Sequence, residues 1–190
     1  MDKIKKPFDG QVILPAIRSM KDFDKMLKFP VRYGVFLDMH ISMLPSVFDY
    51  ARKHDRCMFL HIDLIQGLAS DEFGSEYICQ KIKPYGAMST KSTVIKKVRQ
   101  LGGVATQRTF IIDSNAMERS IQLIKKTDPN YVEVLPGVVP KVITRIAKET
   151  GKPVIAGGLI ESIHEVEQAI DAGASCVTTS DVALWKHFLT

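Results

Sequence analysis

The stretch that decides the fold runs from Pro153 to Ser180. It begins Pro153-Val154-Ile155-Ala156-Gly157-Gly158-Leu159-Ile160 and ends Asp171-Ala172-Gly173-Ala174-Ser175-Cys176-Val177-Thr178-Thr179-Ser180. It reads as a buried strand closed by a Gly-Gly turn, a helix, and a second strand closed by Thr-Thr-Ser. Ser162 caps the intervening helix, with Glu165 three residues on completing a capping box. Gly157 and Gly158 lack a Cβ, so a bound anion can approach their backbone N–H groups closely. Thr179 and Ser180 add hydroxyl donors beside a following helix start, which favours negative charge. Two such loops on consecutive strands form the phosphate site found after the last two strands of a (β/α)8 barrel. The same glycines would serve a tight turn without any ligand. The paired hydroxyl loop one unit later favours phosphate.

Working outward, the same strand–helix unit recurs along the chain. Apolar runs stand at 12–15, 33–38, 57–63, 86–90, 104–110 and 131–135 before the one opened by Pro153, and at 176–178 after it. Between them lie helical patterns, such as Leu44, Val47, Phe48 and Ala51, or Val94, Ile95, Val98 and Leu101. Helix three is expected around 76–82, and Gly102-Gly103 stops helix four. Strands alternating with helices, with no hairpin signal, predict a parallel sheet. Eight units in 190 residues leave about 24 each (190/8), well below the ~250-residue norm for such barrels. The expectation is therefore one domain over 1–190, a small (β/α)8 TIM-type barrel with short helices. An open doubly wound sheet gives a similar pattern, but no G-x-G-x-x-G follows the first strand.

Composition is that of a globular protein, with 45% hydrophobic and 25% charged residues. No apolar run reaches the ~20 residues that span a bilayer, and the N-terminus lacks a signal-peptide core. Three cysteines, Cys57, Cys79 and Cys176, are odd in number and widely spaced, and read as reduced thiols. A cytoplasmic protein is expected, with no membrane partner and with self-association into a homo-oligomer left open. The net charge of +5 suits RNA, DNA or phosphorylated ligands without choosing among them.

Ligands of a barrel sit at the carboxyl ends of its strands. The polar residues there are Arg18, Asp38, His61, Asp63, Lys91, Gln107, Arg108 and Glu133. Singly, each could be a strand-end ion pair. Together they can share a polar pocket, which resolves the cost of burying them. His61 and Asp63, two apart on a strand, fall on one face. They could hold a metal with Asp38 or Glu133, or bind the hydroxyls of a polyol. Two ligands do not make a metal site, and no metal or cofactor is expected. Lys91 and Arg108, on neighbouring strands, could neutralise a phosphate. Glu133 could accept from hydroxyls or act as a general base. The basic clusters Lys3-Ile4-Lys5-Lys6, Lys96-Lys97-Val98-Arg99 and Lys125-Lys126 read first as solvated outer faces.

Several motifs follow one another in order along the chain. They are Val12-Ile13-Leu14-Pro15-Ala16-Ile17-Arg18, His61-Ile62-Asp63-Leu64 with Gly67-Leu68, Ser89-Thr90-Lys91-Ser92, Gln107-Arg108, Glu133-Val134-Leu135-Pro136-Gly137, Ala156-Gly157-Gly158-Leu159-Ile160, and Thr179-Ser180 with Trp185. The chain resembles the glycerol-3-phosphate-responsive antiterminator (GlpP) family over nearly its whole length. The resemblance implies a barrel that binds glycerol 3-phosphate as effector and the leader mRNA of a glycerol-metabolism operon, preventing premature termination. Its ligand residues would be Arg18, His61, Asp63, Lys91, Gln107, Arg108, Glu133, Gly137, Gly157, Gly158, Thr179 and Ser180, with none catalytic. Lys96, Lys97 and Arg99, which follow the Lys91 loop, are the candidates for touching RNA. The alternative is a small phosphosugar enzyme, a glycerophosphodiester hydrolase or isomerase, using Glu133 with Lys91 or a metal.

Overall fold

The computed structural model describes residues 7–190. Eight parallel strands close on themselves: β1 (Ile13–Ile17), β2 (Tyr33–Phe36), β3 (Cys57–His61), β4 (Gly86–Ser89), β5 (Val104–Phe110), β6 (Tyr131–Leu135), β7 (Val154–Gly157) and β8 (Ala174–Thr179). Closure is made by β1, which pairs with both β2 and β8. The helices are α1 (Met20–Met26), α2 (Leu44–Lys53), α3 (Glu72–Tyr77), α4 (Ser92–Gln100), α5 (Ser114–Thr127), α6 (Pro140–Thr150), α7 (Ile163–Asp171) and α8 (Val182–Phe188). The expected barrel is present, with helices of 6–14 residues.

Side-chain alternation divides the core into two shells. Leu14, Val35, Phe59, Met88, Ile155 and Cys176 fill the barrel interior, while Ile13, Ile17, Phe36, Leu60, Val134 and Val177 pack against the helices. Phe8 plugs the end where the strands begin. Its ring lies 5.7, 5.9 and 4.7 Å from those of Tyr33, Phe59 and Tyr131. Aromatic packing closes the barrel interior at that end, so the interior opens only at the other.

Three expectations are corrected. The first strand does not stop at Pro15. Pairing with β2 begins only at Ala16, so the missing proline N–H removes no ladder bond, and the strand continues to Ile17. The third strand ends at His61, because Ile62–Leu64 turns as a 3-10 helix. The third helix starts earlier, at Glu72 behind an Asp71 cap, and continues as a π turn over Ile78–Ile82. A two-residue parallel bridge, Met39–His40 with Ile65–Gln66, was not anticipated and sits beyond the ends of β2 and β3. The Lys3-Ile4-Lys5-Lys6 cluster lies outside the described residues. Among the described residues, no helix is long and apolar enough to cross a membrane.

Candidate functional site

A cavity of about 340 Å³ opens where the strands end, lined by Arg18, Leu37, His61, Met88, Arg108, Glu133, the Gly158–Glu161 turn and Thr178–Asp181. That volume suits a small ligand. Its floor is set by strand register: Arg108 on β5 stands beside Glu133 on β6, and Gly157 on β7 beside Thr178 on β8. All four positions point inward.

Glu133 is 4% exposed, and its Oε1 accepts from the Thr178 hydroxyl at 2.8 Å. Burial pushes its carboxyl pKa up, opposed by the Arg108 charge and the Thr178 hydrogen bond. Arg108 Nε lies 3.2 Å from Glu133 Oε2, close enough for an ion pair. The N–H misses the direction of that oxygen, so both atoms are left without a hydrogen bond. His61 is 2% exposed, and neither ring nitrogen has a partner among the described residues. Burial, then the nearby Arg108 charge, pull its pKa down to about 4, so the imidazole is neutral at neutral pH. Four buried polar atoms therefore converge on one cavity unsatisfied. Each such atom costs about 1–3 kcal/mol until something bonds it.

Gly157 creates the space for this arrangement. A Cβ there would stand 2.6 Å from Thr178 Oγ1 and 2.7 Å from Glu133 Oε1. Gly158 then turns the chain out of the strand at φ +75°, followed by Leu159 at +60°. Arg18 reaches over the mouth, where its guanidinium is paired with Asp38.

The protein's own caps already occupy part of each helix start. Glu165 Oε2 accepts from the backbone N–H of Glu161 and Ser162, and the capping box is complete. At α8 the cap is Asp181, whose Oδ1 accepts from Ala183 N–H, while Thr179 Oγ1 accepts from Asp181 N–H. What remains for a negative charge are the Arg18 and Arg108 guanidinium groups, the Ser180 hydroxyl and the Gly158–Leu159 turn.

Several residues singled out in the sequence sit elsewhere. Asp63 does not share a strand face with His61, because the chain turns between them. Its carboxylate accepts from Ser89 Oγ, Thr90 N–H and Thr90 Oγ1 at 2.5, 2.7 and 2.8 Å, and so braces the loop after β4. Among the described residues no three His, Cys, Asp or Glu side chains gather as a metal-ligand set. Lys91 Nζ does not join Arg108 and bonds Ser70 Oγ and the Ser70 carbonyl instead. Gln107 points to the helix side of β5, where its Nε2 donates to the Thr90 carbonyl at 3.0 Å. Gly137 N–H donates to the Gly157 carbonyl at 2.6 Å, binding the β6 and β7 loops together. Lys97 pairs with Glu76 at 3.1 Å and Arg99 with Asp128 at 3.5 Å, while Lys96 is half-buried. Sequence reasoning missed Thr178, Glu161 and Asp181. Thr178 was findable, two residues from the inward-facing Cys176.

With this geometry in place, residues 13–185 match the sequence family described as glycerol-3-phosphate responsive antiterminator. The chain belongs to that family. A crystal structure of the glycerol uptake operon antiterminator regulatory protein from Listeria monocytogenes is 38% identical, with TM-score 0.93, covering 96% of this chain and 99% of that one. A glycerol uptake operon antiterminator-related protein from Thermotoga maritima is 28% identical, with TM-score 0.81, covering 93% and 98%. The uncharacterized protein YgcP of Escherichia coli is 27% identical over 179 residues, 90% of this chain and 91% of YgcP. The deoxyribose phosphate aldolase of Aeropyrum pernix, at 16% identity and TM-score 0.67, shares the fold alone.

Proposed function

We propose that this chain binds glycerol 3-phosphate in the strand-end cavity and, so loaded, binds the leader mRNA of a glycerol-metabolism operon and prevents premature termination, without turning its ligand over. The observation that carries the ligand half is the set of unpartnered buried atoms on His61, Arg108 and Glu133. In this reading the phosphate lies toward the mouth, between the Gly158–Leu159 turn and Ser180, with Arg18 and Arg108 supplying positive charge. The glycerol hydroxyls reach the floor. There one hydroxyl donates to Glu133 Oε2, and neutral His61 offers one donor and one acceptor to the other. Family membership supports the RNA half.

A raised carboxyl pKa also suits a general base, so the test must score turnover as well as binding. Glycerol 3-phosphate should raise the melting temperature far more than glycerol does, since a ligand that binds only the folded state stabilises by mass action. The loaded protein should increase read-through of a terminator in a run-off transcription, and glycerophosphodiesters should be recovered intact. Release of glycerol 3-phosphate from the diesters, or read-through indifferent to ligand, would refute the regulator.

A further inference from the structure

Cations stand at the ends of most helices of this protein. In a closed parallel barrel every helix ends on the face where the strands begin, opposite the ligand cavity. Basic side chains occupy the last turn of α1, α2, α4, α5, α6 and α8. The helix dipole accounts for a cation in a last turn. It does not account for Arg32, Arg56 and Lys83, which lie in the loops beyond, leading into β2, β3 and β4.

The first two of those loops, with the end of α2, enclose a concavity of about 570 Å³ whose charged walls are Arg32, Arg52 and Arg56, with Asp55 the one carboxylate lining it among the described residues. Arg32 reaches a single acid, Asp9, at 3.4 Å. Arg52 is held by the Ile82 carbonyl and Asp49. Arg56 donates to the Phe29 carbonyl at 3.3 Å and, among the described residues, has no carboxylate partner and no partner at all for its buried Nε. Arg52's bond to Ile82 brings this wall against exposed Lys83. Aromatic rings run alongside: the Arg32 guanidinium stacks 5.6 Å over Tyr33, and Tyr33 lies 5.2 Å from Tyr85, which is 39% exposed. Loop cations interleaved with an exposed aromatic ring match single-stranded nucleic acid, where guanidinium groups meet phosphates and bases stack on rings. The lining of the ligand cavity is mixed in charge, with Glu133 and Arg108 on the floor and Glu161, Asp181 and Arg18 nearer the mouth. The α4 cations Lys97 and Arg99 are paired with acids, as Arg32 and Arg52 are, but among the described residues line no concavity with an exposed aromatic ring beside it.

We infer that single-stranded RNA docks on the face where the strands begin, its phosphates on Arg32, Arg52, Arg56 and Lys83 and a base on Tyr85. This rests on the RNA-binding reading above, and it leaves ligand and RNA on opposite faces, able to bind together. The test uses fluorescein-labelled poly(U), titrated at several salt concentrations with and without glycerol 3-phosphate. The proteins compared are wild type, Arg32→Gln/Arg56→Gln/Lys83→Gln and Lys96→Ala/Lys97→Ala/Arg99→Ala. The loop variant should lose roughly tenfold or more in affinity, and its log–log salt slope should flatten by about two, since each phosphate contact on a single strand contributes ~0.7. The α4 variant should match wild type. If the triple variant fails to melt cooperatively, Lys83→Glu and Tyr85→Leu, both at exposed positions, should each weaken poly(U) severalfold. Unchanged affinity in folded loop variants overturns the surface, and so does loss confined to the α4 variant. Wild type binding anionic phosphatidylglycerol vesicles but not poly(U) overturns it as well. Wild type binding neither poly(U) nor the operon leader transcript in any arm refutes the RNA reading itself, and this surface with it.

Discussion

Gly157→Ala is the sharpest perturbation of the cavity floor, because it adds one methyl group and asks nothing of the backbone. The new Cβ would lie 2.6 Å from Thr178 Oγ1 and 2.7 Å from Glu133 Oε1, whereas ordinary contact begins near 3.4 Å. The two atoms must therefore retreat by 0.8 Å (3.4 − 2.6) and 0.7 Å (3.4 − 2.7) respectively. They are the two ends of one 2.8 Å hydrogen bond, and both are buried. Losing a hydrogen bond to a buried carboxylate costs about 1.5–3 kcal/mol. Replacing glycine by alanine returns roughly 0.4–1 kcal/mol through the unfolded chain. The net loss of about 1–2 kcal/mol should lower the melting temperature by roughly 2–8 °C in a chain of this size. Isothermal calorimetry should show glycerol 3-phosphate bound about tenfold more weakly, equivalent to about 1.4 kcal/mol. In a Glu133→Ala background the clash with the carboxylate disappears, so Gly157→Ala should cost much less there, a non-additivity expected of neighbours. A Gly157→Ala protein with unchanged melting and unchanged affinity would refute the packing argument, as would strict additivity with Glu133→Ala.

The His61 pKa lies below its unfolded value, so the neutral ring stabilises the fold fully above about pH 6.5 and progressively less as pH falls toward 4, a contribution of about 3 kcal/mol. Glu133, pushed upward, acts in the opposite sense over part of the same window, so the ring itself should be followed: its NMR titration midpoint should fall below 5, and a midpoint near 6.5 would mean the ring is solvated. Asp63→Ala removes the acceptor of three hydrogen bonds bracing the β4 loop and should cost roughly 2 kcal/mol, or about 4–8 °C in melting temperature. Hydrogen exchange at the Thr90 amide should accelerate in that variant, and unchanged protection there would show that the loop holds without Asp63.

The barrel was legible because each strand is a short apolar run bounded by turn residues, and each helix carries its own apolar stripe, so the alternation survives without any tertiary information. The cavity floor was legible for a related reason. Arg108 and Glu133 are charges set inside apolar strands, and a charge there must face either a partner or a pocket. Asp63 sits elsewhere because strand periodicity was extended past the true strand end, and Lys91 because a place at a strand end does not fix where a long side chain reaches. The 3-10 turn after His61 sends Asp63 to the β4 loop, and the path of the chain at Ser70 captures Lys91. The helix starts misled for a different reason. The residues that cap them, Glu165 and Asp181, are themselves anions and take amides that a phosphate would otherwise use. The loop cations Arg32, Arg56 and Lys83 were invisible as a group, since they come from three separate loops that only barrel closure brings to one face.

The most direct measurement is a crystal structure of the protein soaked with glycerol 3-phosphate. The account predicts one ligand in the strand-end cavity, its phosphate between the Gly158–Leu159 turn and Ser180 and within reach of Arg18 and Arg108. Its hydroxyls should bond His61 and Glu133 Oε2, completing the atoms that now lack partners. Binding seen by calorimetry while that cavity stays empty and the ligand sits elsewhere would contradict the account.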